Sequence, residues 1–223
     1  MKKLKIIKRI EHWYVISQIR KNGFWFVDIP RTSSTSIKVQ LARKYGRTYA
    51  KEFIRGEKNH TKGFFRDHLT SKHMVNFLGQ RVWDDLFTFT IVRNPWDRAV
   101  SFYNYLLKIN KHDKPSLSFK EHIIDLKRIY KENNFAKRRL RHGCYEYISD
   151  NNEIIVDKVI RFEDREEELK EISEKIGFEL SMTEHREKIL GKKSYNEFYD
   201  NESRRIIEEI YAKDIEEFGY SFE

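Results

Sequence analysis

The chain has 223 residues, with 44 Lys and Arg against 35 Asp and Glu, which gives a formal net charge of +9 at pH 7. The length suits one domain with a sizeable core, and the positive excess predicts attraction to anions without selecting among nucleic acids, phosphorylated or sulfated small molecules and acidic glycans. Cys144 is the single cysteine, which excludes an internal disulfide and fits a reducing compartment. We predict one domain over residues 1–223, with residues 1–23 peripheral.

The N-terminal segment, MKKLKIIKRIEHWY, is basic throughout. It lacks the apolar stretch of about 7–15 residues that marks a secretory signal. No run in the sequence approaches the ~20 apolar residues of a membrane span. We therefore expect a soluble, cytoplasmic protein.

The first predicted strand is the aromatic segment 24–29, which lies between Gly23 and Pro30. A hydroxyl-rich loop follows over residues 30–36. Apolar residues at helical spacing from Ile37 then predict a helix that ends near Gly46. Residues 47–85 carry no pattern that assigns them.

Residues 86–92 alternate Phe and Ile with Thr, which is the spacing of a strand. Asn94 and Pro95 then predict a helix start, because Asn is a good N-cap and Pro fits the first helical position. Residues 108–150 are basic and polar, and we expect them to be helical in part.

Residues 154–160 predict a third strand. A helix through Leu169, Ile172 and Ile176 should end at Gly177, and a last helix is centred on residues 206–211. Strands alternating with helices predict an α/β fold with a mainly parallel central sheet flanked by helices. Ligands of such sheets bind beyond the carboxyl ends of the strands. The tryptophans are core candidates: Trp13, Trp25, Trp83 and Trp96.

The loop over residues 30–36 combines Arg31 with five consecutive hydroxyl residues between a strand and a helix. Backbone N–H groups at a helix N-terminus attract anions, and the Arg fork and the hydroxyls add further donors. The alternative is a Ser/Thr turn that only caps the helix. The loop differs from the GxxxxGK[ST] loop of ATP and GTP enzymes, which occurs nowhere in the chain.

A second motif runs from Val92 to Ser101 as VRNPWDRAVS. Arg93 would end the strand, and Ser101 would lie about two turns into the helix. An arginine fork and a serine hydroxyl placed this way could bind one phosphate.

Together the two motifs resemble those of the sulfotransferases that use 3′-phosphoadenosine-5′-phosphosulfate (PAPS), in particular the group of carbohydrate sulfotransferases and their microbial relatives. The family pattern I-P-K-T-x-x-T-S stands here as IPRTSSTS over residues 29–36, and V-R-N-P-x-x-R-x-x-S stands over residues 92–101. Residues 161–164 and 198–220 are similar to the family's C-terminal half. The resemblance implies a strand–loop–helix site that grips the 5′-phosphosulfate, with Arg93 and Ser101 on the 3′-phosphate.

The resemblance thus implies a donor site whose members are Arg31, Thr32, Ser33, Ser34, Thr35, Ser36, Arg93 and Ser101. The family usually has Lys where this chain has Arg31. Arg keeps the charge, but it is too basic to act as a general acid. A sulfuryl group carries less charge than a phosphoryl group, so its transfer could proceed on fixed cations, and we expect no metal.

In-line transfer to a hydroxyl benefits from a base that takes the acceptor's proton, and histidine suits neutral pH. The segment DHLTSKH, residues 67–73, resembles the family's short histidine segment before the second motif. It implies His68 as the base, with His73 as the second choice. Asp67 could orient His68, and Asp28 and Glu163 remain possible carboxylate bases.

We therefore expect a PAPS-dependent sulfotransferase that acts on an acceptor hydroxyl, with a carbohydrate as the leading acceptor. Two alternatives stay open. A kinase-like phosphoryl transferase would share the anion loop, although no clear Mg²⁺-binding partner is seen. A non-catalytic polyanion or nucleic-acid binder would explain the charge but needs no paired motifs. We do not expect nucleic acid as a partner, and the sequence leaves the oligomeric state open.

Overall fold

A computed structural model describes residues 2–46, 68–109, 117–132, 142–182 and 194–223, with side chains from His12 onward in the first range. The helices in these ranges are α1 (Lys2–Asn22), α2 (Ser34–Tyr45), α3 (Ser71–Leu78), α4 (Gln80–Asp84), α5 (Pro95–Ile109), α6 (Phe119–Lys131), α7 (Cys144–Ile148), α8 (Arg165–Ile176), α9 (Asn201–Ile210) and α10 (Ala212–Phe218), with a 3₁₀ turn at Tyr195–Phe198. The strands are β1 (Phe24–Val27), β2 (Phe87–Val92), β3 (Ser149–Asp150), β4 (Glu153–Ile154) and β5 (Lys158–Arg161).

The central sheet has three parallel strands in the order β1-β2-β5, and helices flank it. Phe24 pairs with Phe87 in β2, and Phe89 of β2 pairs with Lys158 in β5. The predicted mixed α/β fold with a parallel sheet is therefore confirmed. The prediction that residues 1–223 form one domain stays a prediction.

The middle strand β2 is buried on both faces, although its sequence alternates apolar and polar residues. Its two threonines are tolerated there because each hydroxyl has a partner. Thr90 Oγ1 donates to the Val27 carbonyl at 2.8 Å. Thr88 Oγ1 donates to the Asp157 carboxylate at 2.7 Å. These bonds tie β2 to both neighbouring chain segments.

The strand predicted over residues 154–160 is wrong in its bounds. Asn151 and Asn152 adopt positive φ angles and turn the chain between β3 and β4. Such a turn suits Asn and produces a short hairpin. Asp157 then binds the Thr88 N–H through its side chain, and the third strand of the main sheet begins at Lys158.

The bounds of two helices also differ from those predicted. The helix predicted from Ile37 begins at Ser34, so the end of the hydroxyl loop forms its first turn. The last predicted helix is two helices that meet at Tyr211. Of the segment left unassigned, residues 71–84 form α3 and α4, whereas residues 47–67 lie outside the described part.

The core includes three of the four tryptophans, but Trp13 is 71% exposed on α1, so its assignment to the core was wrong. The N-terminal segment that we called peripheral is largely helix α1, and it packs Val15 and Ile19 into the core. None of the described helices has the length and apolar character needed to cross a membrane.

Candidate active site

The two predicted motifs meet at one edge of the sheet. The first follows β1 and the second follows β2, and these strands are parallel neighbours. Their carboxyl ends therefore open on the same side, where ligands of α/β sheets bind.

The first loop has an unusual backbone. Arg31 and Ser33 have φ angles of 67° and 66°, in the left-handed region that residues with a side chain seldom occupy. Ser33 is the N-cap of α2, and its side chain makes no capping bond. His68 shares the strain, with φ 58°. Such strained residues concentrate at functional sites, where the surrounding structure holds them in place.

The hydroxyls of this loop differ in their surroundings. Thr32 is buried, and its hydroxyl donates to the Ile29 carbonyl at 3.0 Å, which braces the turn. Ser34 and Ser36 are buried in the first turn of α2, whereas Thr35 is exposed. Ser36 Oγ is buried and has no hydrogen-bond partner among the described residues. A buried hydroxyl without a partner is costly, so this atom fits a ligand oxygen.

Arg31 joins the first motif to the second. Its Nε and Nη2 donate to Ser101 Oγ at 3.2 and 3.0 Å. The guanidinium lies 5.0 Å from the ring centroid of Tyr105, one turn further along α5. The residues that the sequence assigns to a phosphate and to the sulfuryl group are thus in direct contact.

Helix α5 begins as the sequence predicts. Asn94 Oδ1 accepts the Trp96 N–H at 3.0 Å and the Asp97 N–H at 3.3 Å, which caps the helix. Ser101 lies on the buried face, about two turns in. Arg93 donates to Asp97 at 2.8 Å and to the Arg31 carbonyl at 3.1 Å, and its guanidinium stacks on Phe162. Arg93 therefore holds the first loop from the side of the second strand.

Arg98 belongs to the second motif, and no role was predicted for it. It is buried, and it donates to the Pro30 carbonyl at 3.1 Å and to the His142 carbonyl at 2.7 Å. Its Nη1 lies 3.9 Å from the buried Asp214 carboxylate. This arginine fixes the backbone immediately before Arg31. Its motif position was the signal that could have identified it.

Asp214 completes this buried network at the start of α7. Its carboxylate accepts the N–H groups of Cys144 at 2.6 Å and Tyr145 at 2.8 Å. Burial raises the pKa of Asp214, although Arg98 and the two N–H groups oppose the change. Asp214 lies in the C-terminal segment that resembles the family, but the sequence assigned it no role, because its partners are about 70 positions away in the chain.

His68 lies beside Asp28, the residue that follows β1 by one position. His68 Nδ1 is 3.0 Å from Asp28 Oδ2, and Lys38 Nζ of α2 is 2.5 Å from the same oxygen. Burial alone would raise the pKa of Asp28, but the hydrogen bond and charge of His68 and the charge of Lys38 bring it well below its ordinary value. Asp28 is thus ionised at neutral pH.

The other candidate bases have different surroundings. His73 Nδ1 lies 2.6 Å from Thr70 Oγ1, the hydroxyl that also caps α3, and this contact is exposed. Glu163 accepts the Asn94 N–H at 3.2 Å and the Tyr220 hydroxyl at 3.1 Å. His73 and Glu163 each bond a group that has a structural role. Asp67, the residue suggested to orient His68, lies outside the described residues.

A family model described as the Sulfotransferase family matches residues 16–221, nearly the whole chain. The chain belongs to this family. It is also similar to an uncharacterized protein of Archaeoglobus fulgidus, with 31% identity over 102 residues that make up 46% of this chain and 77% of the relative. No solved structure matches the chain.

Family membership supports sulfuryl transfer as the general activity and makes the protein a transferase. Within the described ranges, no group of three or more His, Cys, Asp and Glu side chains could hold a metal ion.

Proposed function

We propose that the protein transfers the sulfuryl group of PAPS to an acceptor hydroxyl, and that the acceptor is a carbohydrate. The observation that carries the proposal is the contact between Arg31 of the first motif and Ser101 of the second. This contact joins two motifs, far apart in sequence, that the sequence predicts to bind anions. A donor with anionic groups at both its 5′ and 3′ positions suits such a pair of sites.

The first loop suits the 5′-phosphosulfate. The start of α2 offers backbone N–H groups, residues 32–36 supply hydroxyls, and Ser36 Oγ is buried without a described partner. Arg93 and Ser101 would hold the 3′-phosphate, after Ser101 exchanges its bond with Arg31 for one with the ligand. That exchange would release the Arg31 guanidinium toward the phosphosulfate.

In the transfer step, a bond forms between the acceptor oxygen and sulfur, and the bond from sulfur to the 5′-phosphate oxygen breaks. His68 would take the acceptor's proton. Arg31 would stabilise the negative charge that grows on the leaving phosphate, as a fixed cation and not as a proton donor. In this proposal, one group of residues binds the donor, and His68 acts as the base.

Ligand stabilisation tests the donor assignment. We expect PAPS and its product 3′-phosphoadenosine-5′-phosphate to raise the melting temperature without Mg²⁺, because ligands that bind only the folded state stabilise it. Adenosine 5′-phosphate, which lacks the 3′-phosphate, should stabilise much less, and Ser101→Ala should reduce the difference. Equal stabilisation by both nucleotides would overturn the second-motif assignment, and a preference for Mg²⁺-ATP would favour a phosphoryl transferase.

Transfer itself is measured with sulfur-labelled PAPS and a panel of glycans, phenols and small alcohols. We expect labelled glycan, and labelling confined to another acceptor class would overturn the carbohydrate assignment. His68→Ala should lower kcat by roughly 10²–10⁴-fold while nucleotide binding stays nearly unchanged. His73→Ala is the matched control and should be mild. If only His73→Ala is inactive, the base was assigned to the wrong histidine.

A further inference from the structure

The surroundings of His68 determine which of its ring nitrogens carries the proton. Nδ1 lies 3.0 Å from the Asp28 carboxylate and 3.2 Å from the Asp28 backbone carbonyl. A carboxylate and a carbonyl can only accept hydrogen bonds. Nδ1 must therefore carry a hydrogen, and in the neutral ring Nε2 is the nitrogen with a lone pair.

We propose that Asp28 is the positioning residue of the base: it holds the His68 imidazole through Nδ1–H, so that Nε2 is directed to the acceptor hydroxyl. The inference rests on the proposed function, because it needs His68 to receive a proton. A carboxylate behind a histidine fixes the tautomer and the ring orientation, and stabilises the imidazolium that forms.

The same contacts explain why Asp28 does not take the acceptor's proton itself. Its side chain is 11% exposed, and Oδ2 faces both Lys38 Nζ and His68 Nδ1. A buried carboxylate between two cationic or donor groups is held in its ionised form and is a weak base. His68, with 19% of its side chain exposed, is the more accessible member of the pair.

Asp28 also connects the base to the donor loop. Asp28 lies two residues before the loop, and Lys38 lies in α2 two residues after it. The Lys38–Asp28–His68 series therefore spans the two ends of the loop that would bind the phosphosulfate. The geometry makes the position of the base depend on the same short segment that positions the sulfuryl group.

The test is Asp28→Asn, which keeps the size of the side chain and removes its charge. We expect kcat to fall by about 100-fold or more, because the imidazolium that forms on His68 loses the carboxylate that stabilises it. The KM for PAPS and the stabilisation by 3′-phosphoadenosine-5′-phosphate should remain close to those of the parent protein. Asp150→Asn is the matched control, since Asp150 forms an equally short ion pair with Lys72 on the surface, 2.5 Å long, and should leave kcat unchanged.

A second measurement needs neither an acceptor nor turnover. Nitrogen NMR of the histidine rings should show His68 as the Nδ1–H tautomer in the unaltered protein. If the unaltered protein holds His68 as Nε2–H, the proposal is overturned even where Asp28→Asn fails to fold.

The kinetic outcomes distinguish the role of Asp28 as a positioning residue from the role of His68 as the base. If His68→Ala is inactive and Asp28→Asn keeps the parent kcat, the positioning role is wrong and the base stands. An Asp28→Asn protein that loses nucleotide binding together with kcat would show a role in the loop's structure, which also overturns the positioning role. If His68→Ala keeps the parent kcat, the proposed base itself fails.

Discussion

The structure predicts that no side chain fits at Gly143. Its φ of −61° is open to any residue, so backbone strain does not require glycine there. A β-carbon at this position would instead lie 2.5 Å from Asp214 Oδ1. Asp214 is 1% exposed, so its carboxylate has little room to move away.

The expected loss follows from the bonds that Asp214 makes. To reach an ordinary contact distance, the carboxylate must move by about 1 Å, which breaks at least one of its bonds to the N–H groups of Cys144 and Tyr145 at 2.6 and 2.8 Å. A buried hydrogen bond to a charged group contributes about 1.5–3 kcal/mol. Gly143→Ala should therefore lower the free energy of unfolding by about 2–4 kcal/mol and the melting temperature by roughly 5–15 °C.

A double-mutant cycle measured by denaturant unfolding tests the cause. Asp214→Ala alone should cost about 3–5 kcal/mol, because it leaves Arg98 buried without its carboxylate. Once the carboxylate is gone, adding Gly143→Ala should cost less than about 0.5 kcal/mol. A Gly143→Ala protein as stable as the parent, or strictly additive effects, would refute the argument.

Three further predictions concern single side chains. Arg31→Ala should lower kcat on the order of 100-fold while Arg31→Lys stays within about tenfold of the parent, since the role proposed for Arg31 is electrostatic. Transfer from labelled PAPS measures both variants, and an Arg31→Ala protein with the parent kcat would contradict that role. Burial raises the pKa of the Cys144 thiol to about 12, so a disulfide reagent should leave it unmodified in the native protein at about pH 8 and label it promptly on unfolding; equal rates would contradict its burial. Folding lowers the pKa of Asp28. Its stabilising contribution is therefore fully present above the pKa of the unfolded chain, about 4, and is lost as the pH falls below that value. The difference in unfolding free energy between the parent and Asp28→Asn should accordingly shrink below about pH 4, and a difference that grows there would contradict the ion pairs with Lys38 and His68.

The sequence predicted the parts of the fold that local rules control. Phe87–Val92 and the Asn94 cap follow from alternation and capping chemistry, and both were confirmed within one or two residues. The third strand was misplaced, because the side chain of Asp157 bonds Thr88 of β2, which is 69 positions away in sequence. Contacts of that kind have no local pattern in the sequence.

In the candidate site, the residues carried by motifs were predicted and their long-range contacts were not. Arg31, Arg93 and Ser101 were identified because family motifs carry them, and the structure brings them together. The contact of His68 with Asp28, 40 positions away, was not predicted, because no local pattern links residues so far apart in the chain. Asp67, the suggested partner, lies outside the described residues.

These contacts show how a loop with an unfavourable backbone is kept in place. Two residues of the loop adopt left-handed φ angles, and each such residue costs on the order of 1–3 kcal/mol. Hydrogen bonds from side chains outside the loop offset this cost. Arg98 holds the Pro30 carbonyl, and Arg93 holds the Arg31 carbonyl. These two arginines bind backbone carbonyls on either side of the first strained residue, so the strained backbone is held by the protein's own side chains. The scaffold is thus fixed before the donor arrives, and binding energy need not be spent on ordering it.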